Sequence, residues 1–134
     1  MAHESFFSMR DFITLVELQA VGVLGLNSTR PGGITNAIKL LDYAEQRGIK
    51  AVIHDQPSGI SSAMHIHLAT ARYHSLGHAT ELFGIEMLED DLIEKPIDYG
   101  NGLAKLPDGP SWGVKLDEKA LEKYATGPTI TIEK

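Results

Sequence analysis

A chain of 134 residues with a net charge of −6, 43% hydrophobic and 22% charged, has the composition of an ordinary folded domain with room for a real core. The acidic balance, with no Lys/Arg cluster interleaved with aromatics, speaks against nucleic-acid binding. Cysteine is absent, which excludes disulfides, thiolate catalysis and cysteine zinc sites. With no apolar run of about 18 residues to span a membrane and no leader pattern, the expectation is a cytoplasmic protein that makes no membrane contact.

Taken in chain order, Ser8-x-x-Asp11 resembles a capping box, and Met9, Phe12, Ile13, Val16 and Ala20 follow as an apolar stripe at helical spacing. Gly22 is expected to stop that helix, and Val21 to Leu26 to form a short buried strand. After the Arg30-Pro-Gly-Gly33 turn, Ile34, Ala37, Ile38, Leu41 and Ala44 predict a second helix, closed by Gly48 as C-cap. Ile49 to Ile53 reads as the next strand. Ser58 to about Tyr73 reads as the next helix, with Ile60, Met64, Leu68 and Ala71 on one side, and Ala79 to Phe83 as a short final strand. The remainder, rich in Gly and Pro between Gly100 and Pro110 and with a short helix over Glu118 to Tyr124, reads as a tail. Strands alternating with helices in this way imply right-handed crossovers and a parallel sheet.

Four polar positions recur where an apolar stretch ends and a helical pattern is about to begin. Glu4, Asn27, His54 and Glu81 are separated by 23, 27 and 27 residues. A repeat of roughly 25–30 residues is one strand plus one helix, and reactive groups gather at the carboxyl ends of such strands. Three β/α units cannot close a barrel, which needs eight. The sheet is therefore either a small open one or the later part of a barrel whose first half lies elsewhere.

Each of these residues has a chemical and a bland reading. Glu4 is a good oxygen ligand for Mg²⁺ and a possible acid or base, or it is a charge near the capping box. His3 beside it is a candidate ligand, although imidazole suits Mg²⁺ poorly. Asn27 can hydrogen-bond a substrate but cannot act as a base, and Asn also forms turns. His54 and Asp55 offer imidazole and carboxylate chemistry, but neighbours on a strand point in opposite directions, so only one faces the site. Glu81 is a carboxylate in an apolar strand end, costly there unless bonded or functional. His65-x-His67 has the look of a metal pair, but i,i+2 positions on a helix do not share a face, so the expected role is structural. Gly32-Gly33 opens a helix where amides can hold an anion. The Asp108 to Gly113 segment, with Trp112, reads as turn and packing chemistry.

Taken together, the segments resemble the carboxy-terminal barrel half of the enolase superfamily, in its mandelate racemase and muconate lactonizing enzyme branch. Met1-Ala-His-Glu-Ser5 resembles that family's Met-Ala-Asp-Glu-Ser at the end of the fifth strand. Pro31-Gly-Gly-Ile-Thr35 is similar to the Gly-Gly-Ile-Thr after the sixth. Ser58-Gly-Ile60 with Leu68-Ala69 resembles the helix after the seventh strand, and Thr80-Glu-Leu-Phe-Gly84 the eighth strand of muconate cycloisomerases. Asp108-Gly-Pro, Gly113-Val and Leu116-Asp117 are similar to the family's tail.

The resemblance implies an α/β fold, the later part of a TIM-type (β/α) barrel from about strand 5 or 6 to strand 8. Residues 1–88 would be half of the catalytic barrel and 89–134 a tail wrapping the barrel or its capping domain. It also implies a Mg²⁺ enzyme that removes a proton α to a carboxylate, with Glu4 as third metal ligand, His3 where the family often has a ligand Asp, and Glu81 as the eighth-strand carboxylate. Asn27 falls where cycloisomerases carry Lys, which argues against a two-lysine mechanism. His54 or Asp55 could supply the second acid/base, as an acid-sugar dehydratase would need. The implied partners are a small carboxylate substrate, the missing amino-terminal barrel half with its capping domain, and further copies in a homo-oligomer. The alternatives are a non-catalytic half-barrel that only associates, or a small open domain binding an anion at Gly32-Gly33.

Overall fold

Ser8 opens the first helix by the reciprocal bonding its sequence implies: its hydroxyl accepts from the Asp11 amide, and the Asp11 carboxylate accepts from the Ser8 amide at 3.0 Å. The computed structural model describes residues 1–54, 58–82, 87–128, 130 and 132. Helix α1 (Met9–Glu17) buries Phe12 and Val16 and ends earlier than Gly22. Leu18 caps it and Gln19 turns the chain with φ 54. The expected stripe residue Ala20 therefore lies beyond the helix.

Strand β1 (Val23–Leu26) leads to α2 (Ile34–Gln46), which buries Ala37, Leu40, Leu41 and Ala44. Gly48, at φ 69, provides the left-handed residue that lets the chain reverse into β2 (Lys50–Ile53). Helix α3 (Gly59–Ala71) is capped by Ser58, whose hydroxyl accepts from the Ser61 amide. A 3₁₀ turn follows at Tyr73–Ser75.

The four extended segments lie side by side in chain order, all parallel. Ala2 bridges Leu24, β1 pairs with β2 from Val23↔Lys50 to Leu26↔Ile53, and β2 is flanked by bridges Ala51↔Leu76 and His54↔Glu81. The expected strand at Ala79–Phe83 is reduced to the Glu81 bridge, and Phe83 lies outside the described residues. One face of this sheet is covered by the helices. Ala2, Leu24, Leu26, Ala51 and Ile53 share a core with Phe6, Phe12, Leu40 and Leu41. Burying a side chain such as Phe12 contributes about 1.5–3 kcal/mol.

Helix α3 differs from its predicted stripe. Its buried residues include Ser62, Ala63, His65, Ile66 and Leu68, whereas Ala71 is exposed. The reason is the tail, which packs against it. Ile93 and Ile97 join Ala63 and Ile66 in a second cluster with Tyr99, Ala104, Trp112 and Val114 around it. Two elements thus cover α3, so its apolar side is wider than a single stripe.

The tail contains a hairpin within the stretch rich in Gly and Pro. Strands β3 (Tyr99–Gly100) and β4 (Leu103–Ala104) pair antiparallel around Asn101 and Gly102, both with positive φ. Asn-Gly is the strongest short hairpin signal, because both central residues of the tight turn need φ above zero. The last helix, α4 (Glu118–Tyr124), is capped by the Asp117 carboxylate and falls where the sequence implies. Among the described residues no helix is long and apolar enough to cross a membrane.

Candidate functional site

Alternation along the strands sorts the polar residues by face. Since Ala2, Leu24, Leu26, Ala51 and Ile53 point to the helices, His3, Gly25, Asn27, Val52 and His54 fall on the opposite face. Gly25 makes room there: a Cβ on it would stand 3.0 Å from the His3 Cβ and 3.0 Å from the Ala2 carbonyl oxygen. Its bare backbone lets His3 lie across β1 toward β2. The His3 and His54 rings meet with centroids 3.8 Å apart at 62°. His54 Nδ1 in turn contacts Glu81 Oε2 across the next bridge. Three of the candidates, from three different segments, therefore form one continuous row.

Glu4 takes a different course. Its side chain is 71% exposed and is held by the Arg30 guanidinium, with His3 Nδ1 at 3.2 Å from the same oxygen. Arg30 comes from the loop after β1, donates to the His3 carbonyl at 2.9 Å and lies 5.5 Å over the Phe7 ring. It pins residues 3–7 to the sheet. The Arg30 hydrogen bond, with the guanidinium charge, keeps the Glu4 carboxyl below its ordinary range. Burial, then the nearby His54 and Arg30, hold the His3 imidazole below its ordinary value.

Asn27 is 1% exposed. Its carbonyl oxygen accepts from the Thr29 amide at 3.0 Å and the Thr29 hydroxyl at 2.7 Å, a turn-forming role. Its amide nitrogen is buried and makes no hydrogen bond, as is His3 Nε2. Of the pair His54 and Asp55, His54 faces the site, and Asp55 lies outside the described residues.

Three contributors escaped the sequence. Arg30 was legible only as part of a turn, although a guanidinium beside Gly-Gly at a strand end signals anion pairing. Gly25 gave no signal within an apolar strand. Ser28, beside Asn27, meets the fully buried His65 Nε2 at 2.8 Å, tying the loop after β1 to α3. His65 is thus structural, as its spacing implied, and His67 contacts the Trp112 carbonyl at 3.2 Å on another side.

The residues do not by themselves fit Mg²⁺. That ion demands near-octahedral oxygen donors. Here the Glu4 oxygen is shared by Arg30 and His3, and the Glu81 oxygen is engaged by His54. Among the described residues no three His, Asp or Glu side chains are grouped to hold a metal ion.

Comparison with known proteins gives the setting. The sequence model of the "Enolase C-terminal domain-like" family matches residues 1–120. Muconate cycloisomerase 1 of Rhodococcus opacus is 31% identical over 125 residues, which are 92% of this chain and 33% of that protein. Chloromuconate cycloisomerase of Cupriavidus pinatubonensis is 29% identical over 132 residues, 98% of this chain and 35% of that protein. The crystal structure of 2-chloromuconate cycloisomerase from Rhodococcus opacus superposes with a TM-score of 0.75 at 28% identity, covering 92% of this chain and 34% of that one. The chain spans about a third of the length of the curated relatives it matches.

Proposed function

The chain belongs to the enolase C-terminal domain-like family of the enolase superfamily, and from that premise we propose that it is the carboxy-terminal barrel part of an enzyme that removes a proton α to a substrate carboxylate, in the manner of the muconate cycloisomerases. The observation that carries this reading is the row formed by His3, His54 and Glu81, with Asn27 on the same face, across four consecutive parallel segments. A carboxylate of the substrate would be bound by donors on that face, the buried Asn27 amide among them. Glu81 would stand where the cycloisomerases carry their eighth-strand carboxylate, against which the reacting carbon would lie.

The chain's own proton-transfer group is His54. Glu81 engages Nδ1 and orients the ring, which would let His54 serve as the acid or base on this face. Asn27 has no such capacity. The first proton abstraction, and the carboxylates for the Mg²⁺ that the superfamily generally uses, would come from a barrel half not contained in this chain. A second reading is favoured by the same His54–Glu81 pair. An oriented imidazole is suited to protonating a departing hydroxide, which is the need of a dehydratase acting on an acid sugar or hydroxy acid.

The test is exchange of α-hydrogen for deuterium in D₂O, followed by mass spectrometry. It is run on the polypeptide at its natural length with muconates, N-acyl amino acids and acid sugars. Exchange or cycloisomerisation of a muconate, lost in Glu81→Gln, supports the first reading; water elimination from an acid sugar supports the second. No exchange with any α-proton carboxylate overturns both.

A further inference from the structure

The hairpin in the tail carries a reactive pair that the candidate site does not use. Asn101 and Gly102 form its whole turn, between the paired residues Gly100 and Leu103. Both are exposed, at φ 51 and φ 74. Gly102 has no Cβ to shield its backbone nitrogen, and a Cβ built on it would have nothing within 4 Å. The strands on either side are 2 residues each, and so short a hairpin is marginally stable by itself and opens locally. Opening frees the backbone rotation that brings the Gly102 nitrogen to the Asn101 Cγ. Neither of the other two asparagines is placed this way. Asn27 is 1% exposed and precedes Ser28. Asn36 lies in α2, precedes Ala37 and donates to the Pro31 carbonyl at 2.7 Å.

We propose that Asn101 is a site of spontaneous deamidation, and that the isoaspartate formed there loosens the hold of the tail on α3. The Gly102 backbone nitrogen attacks Asn101 Cγ, an N–C bond forms, and the Cγ–Nδ2 bond breaks. The side-chain amide nitrogen leaves as ammonia with the proton given up by the attacking nitrogen, and a cyclic imide remains. Water opens the imide at Cγ to give aspartate, or at the Asn101 backbone carbonyl to give isoaspartate. Water is the only co-reactant, and nothing is oxidised or reduced. Isoaspartate routes the main chain through Cβ and Cγ, so the tight turn that pairs Gly100 with Leu103 is lengthened and loses its match. Tyr99 and Ala104, beside that turn, pack against the cluster of Ala63, Ile66, Ile93 and Ile97 that joins the tail to α3. A change at the turn therefore reaches the cover of α3.

The experiment incubates the full 134-residue chain in mildly alkaline buffer and maps the products by digestion and tandem mass spectrometry. The expected result is a mass gain equal to the exchange of –NH2 for –OH at Asn101, as both aspartate and isoaspartate, while Asn27 and Asn36 stay intact. Gly102→Ala slows the conversion about tenfold or more even though it strains the turn, because its Cβ crowds the attacking nitrogen. The isoaspartyl chain, separated by chromatography, exchanges amide hydrogen over 97–105 about tenfold faster than the parent, with α1 and α2 unchanged. Asn101→Asp adds the charge without lengthening the main chain. Asp-Gly suits the same turn, so its exchange stays at the parent level. Conversion at Asn27 or Asn36 as fast as at Asn101 overturns the proposal, as does no conversion after a free Asn-Gly peptide has been consumed. It is equally overturned by an isoaspartyl chain with the parent's exchange, or by an Asn101→Asp chain that exchanges as fast as the isoaspartyl one. These outcomes are read without any substrate, so they stand apart from the fate of the proposed reaction.

Discussion

Replacing Gly25 with Ala tests whether the bare backbone of β1 is what allows His3 into the site. The added Cβ would meet the Ala2 carbonyl oxygen and the His3 Cβ at 3.0 Å and Met1 Sδ at 3.2 Å, all on the same first segment. Ordinary contact requires that segment to retreat by a few tenths of an ångström. It is held by two backbone bonds, Ala2 amide to Val23 oxygen at 2.9 Å and Gly25 amide to Ala2 oxygen at 2.7 Å, both of which the retreat stretches. Overpacking of this kind costs about 1–3 kcal/mol. The loss of glycine's freedom in the unfolded chain offsets about 0.4–1 kcal/mol of it. The net expectation is a loss of about 1–2 kcal/mol in urea unfolding followed by circular dichroism. Gly22→Ala is the control: a Cβ there has nothing within 4 Å, so only the entropic gain of about 0.4–1 kcal/mol remains. The second readout is the His3 titration by NMR. As its ring leaves the buried position beside His54, its value should rise toward the ordinary imidazole value of 6.5. A Gly25→Ala chain as stable as Gly22→Ala, with the His3 titration unmoved, would refute the close-approach argument.

Three further outcomes are expected. Ser28→Ala removes the hydroxyl that meets buried His65 and should cost about 1–3 kcal/mol in the same unfolding assay; a loss below a few tenths would mean that the pair does not tie the loop to α3. Glu81→Gln should change stability by less than about 1 kcal/mol, because the pair with His54 is partly exposed, while abolishing substrate-dependent proton transfer in the exchange assay. Asp11 is held below its ordinary carboxyl value of 3.8 by the Phe7 amide first and the Ser8 hydroxyl next. A folded-state value below the unfolded one gives stability that is complete above the unfolded value and is lost as pH falls through the folded one. The stability difference between the parent chain and Asp11→Asn should therefore be full above the ordinary carboxyl value of 3.8 and shrink as pH falls below it, read by acid unfolding.

Local signals were enough for the helices and their caps. Ser8 with Asp11, Gly48, Ser58 and Asp117 act through bonds within four residues, and each was readable because the partner lies nearby in sequence. The even spacing of Glu4, Asn27, His54 and Glu81 also carried over into register, since one β/α unit advances the chain by one strand. His54 and Glu81 do stand at bridged positions on neighbouring segments. The Asn101-Gly102 hairpin was equally local and was available to the sequence, but the Gly- and Pro-rich composition around it masked it.

What the sequence by itself determined, then, is the order of elements, their caps and the family. Those depend on periodicity, turn chemistry and motifs that lie within single units. The tertiary structure alone decided which polar groups act together. His3, not Glu4, faces the row because strand alternation puts adjacent residues on opposite faces and Arg30, distant in sequence, takes up the Glu4 carboxylate. Likewise Gly25 matters only because another segment crosses it, and α3 is buried on a broad side only because the tail returns to cover it. Contacts between segments separated by 20 residues or more leave no periodic trace in either partner, so no reading of one stretch at a time could have supplied them.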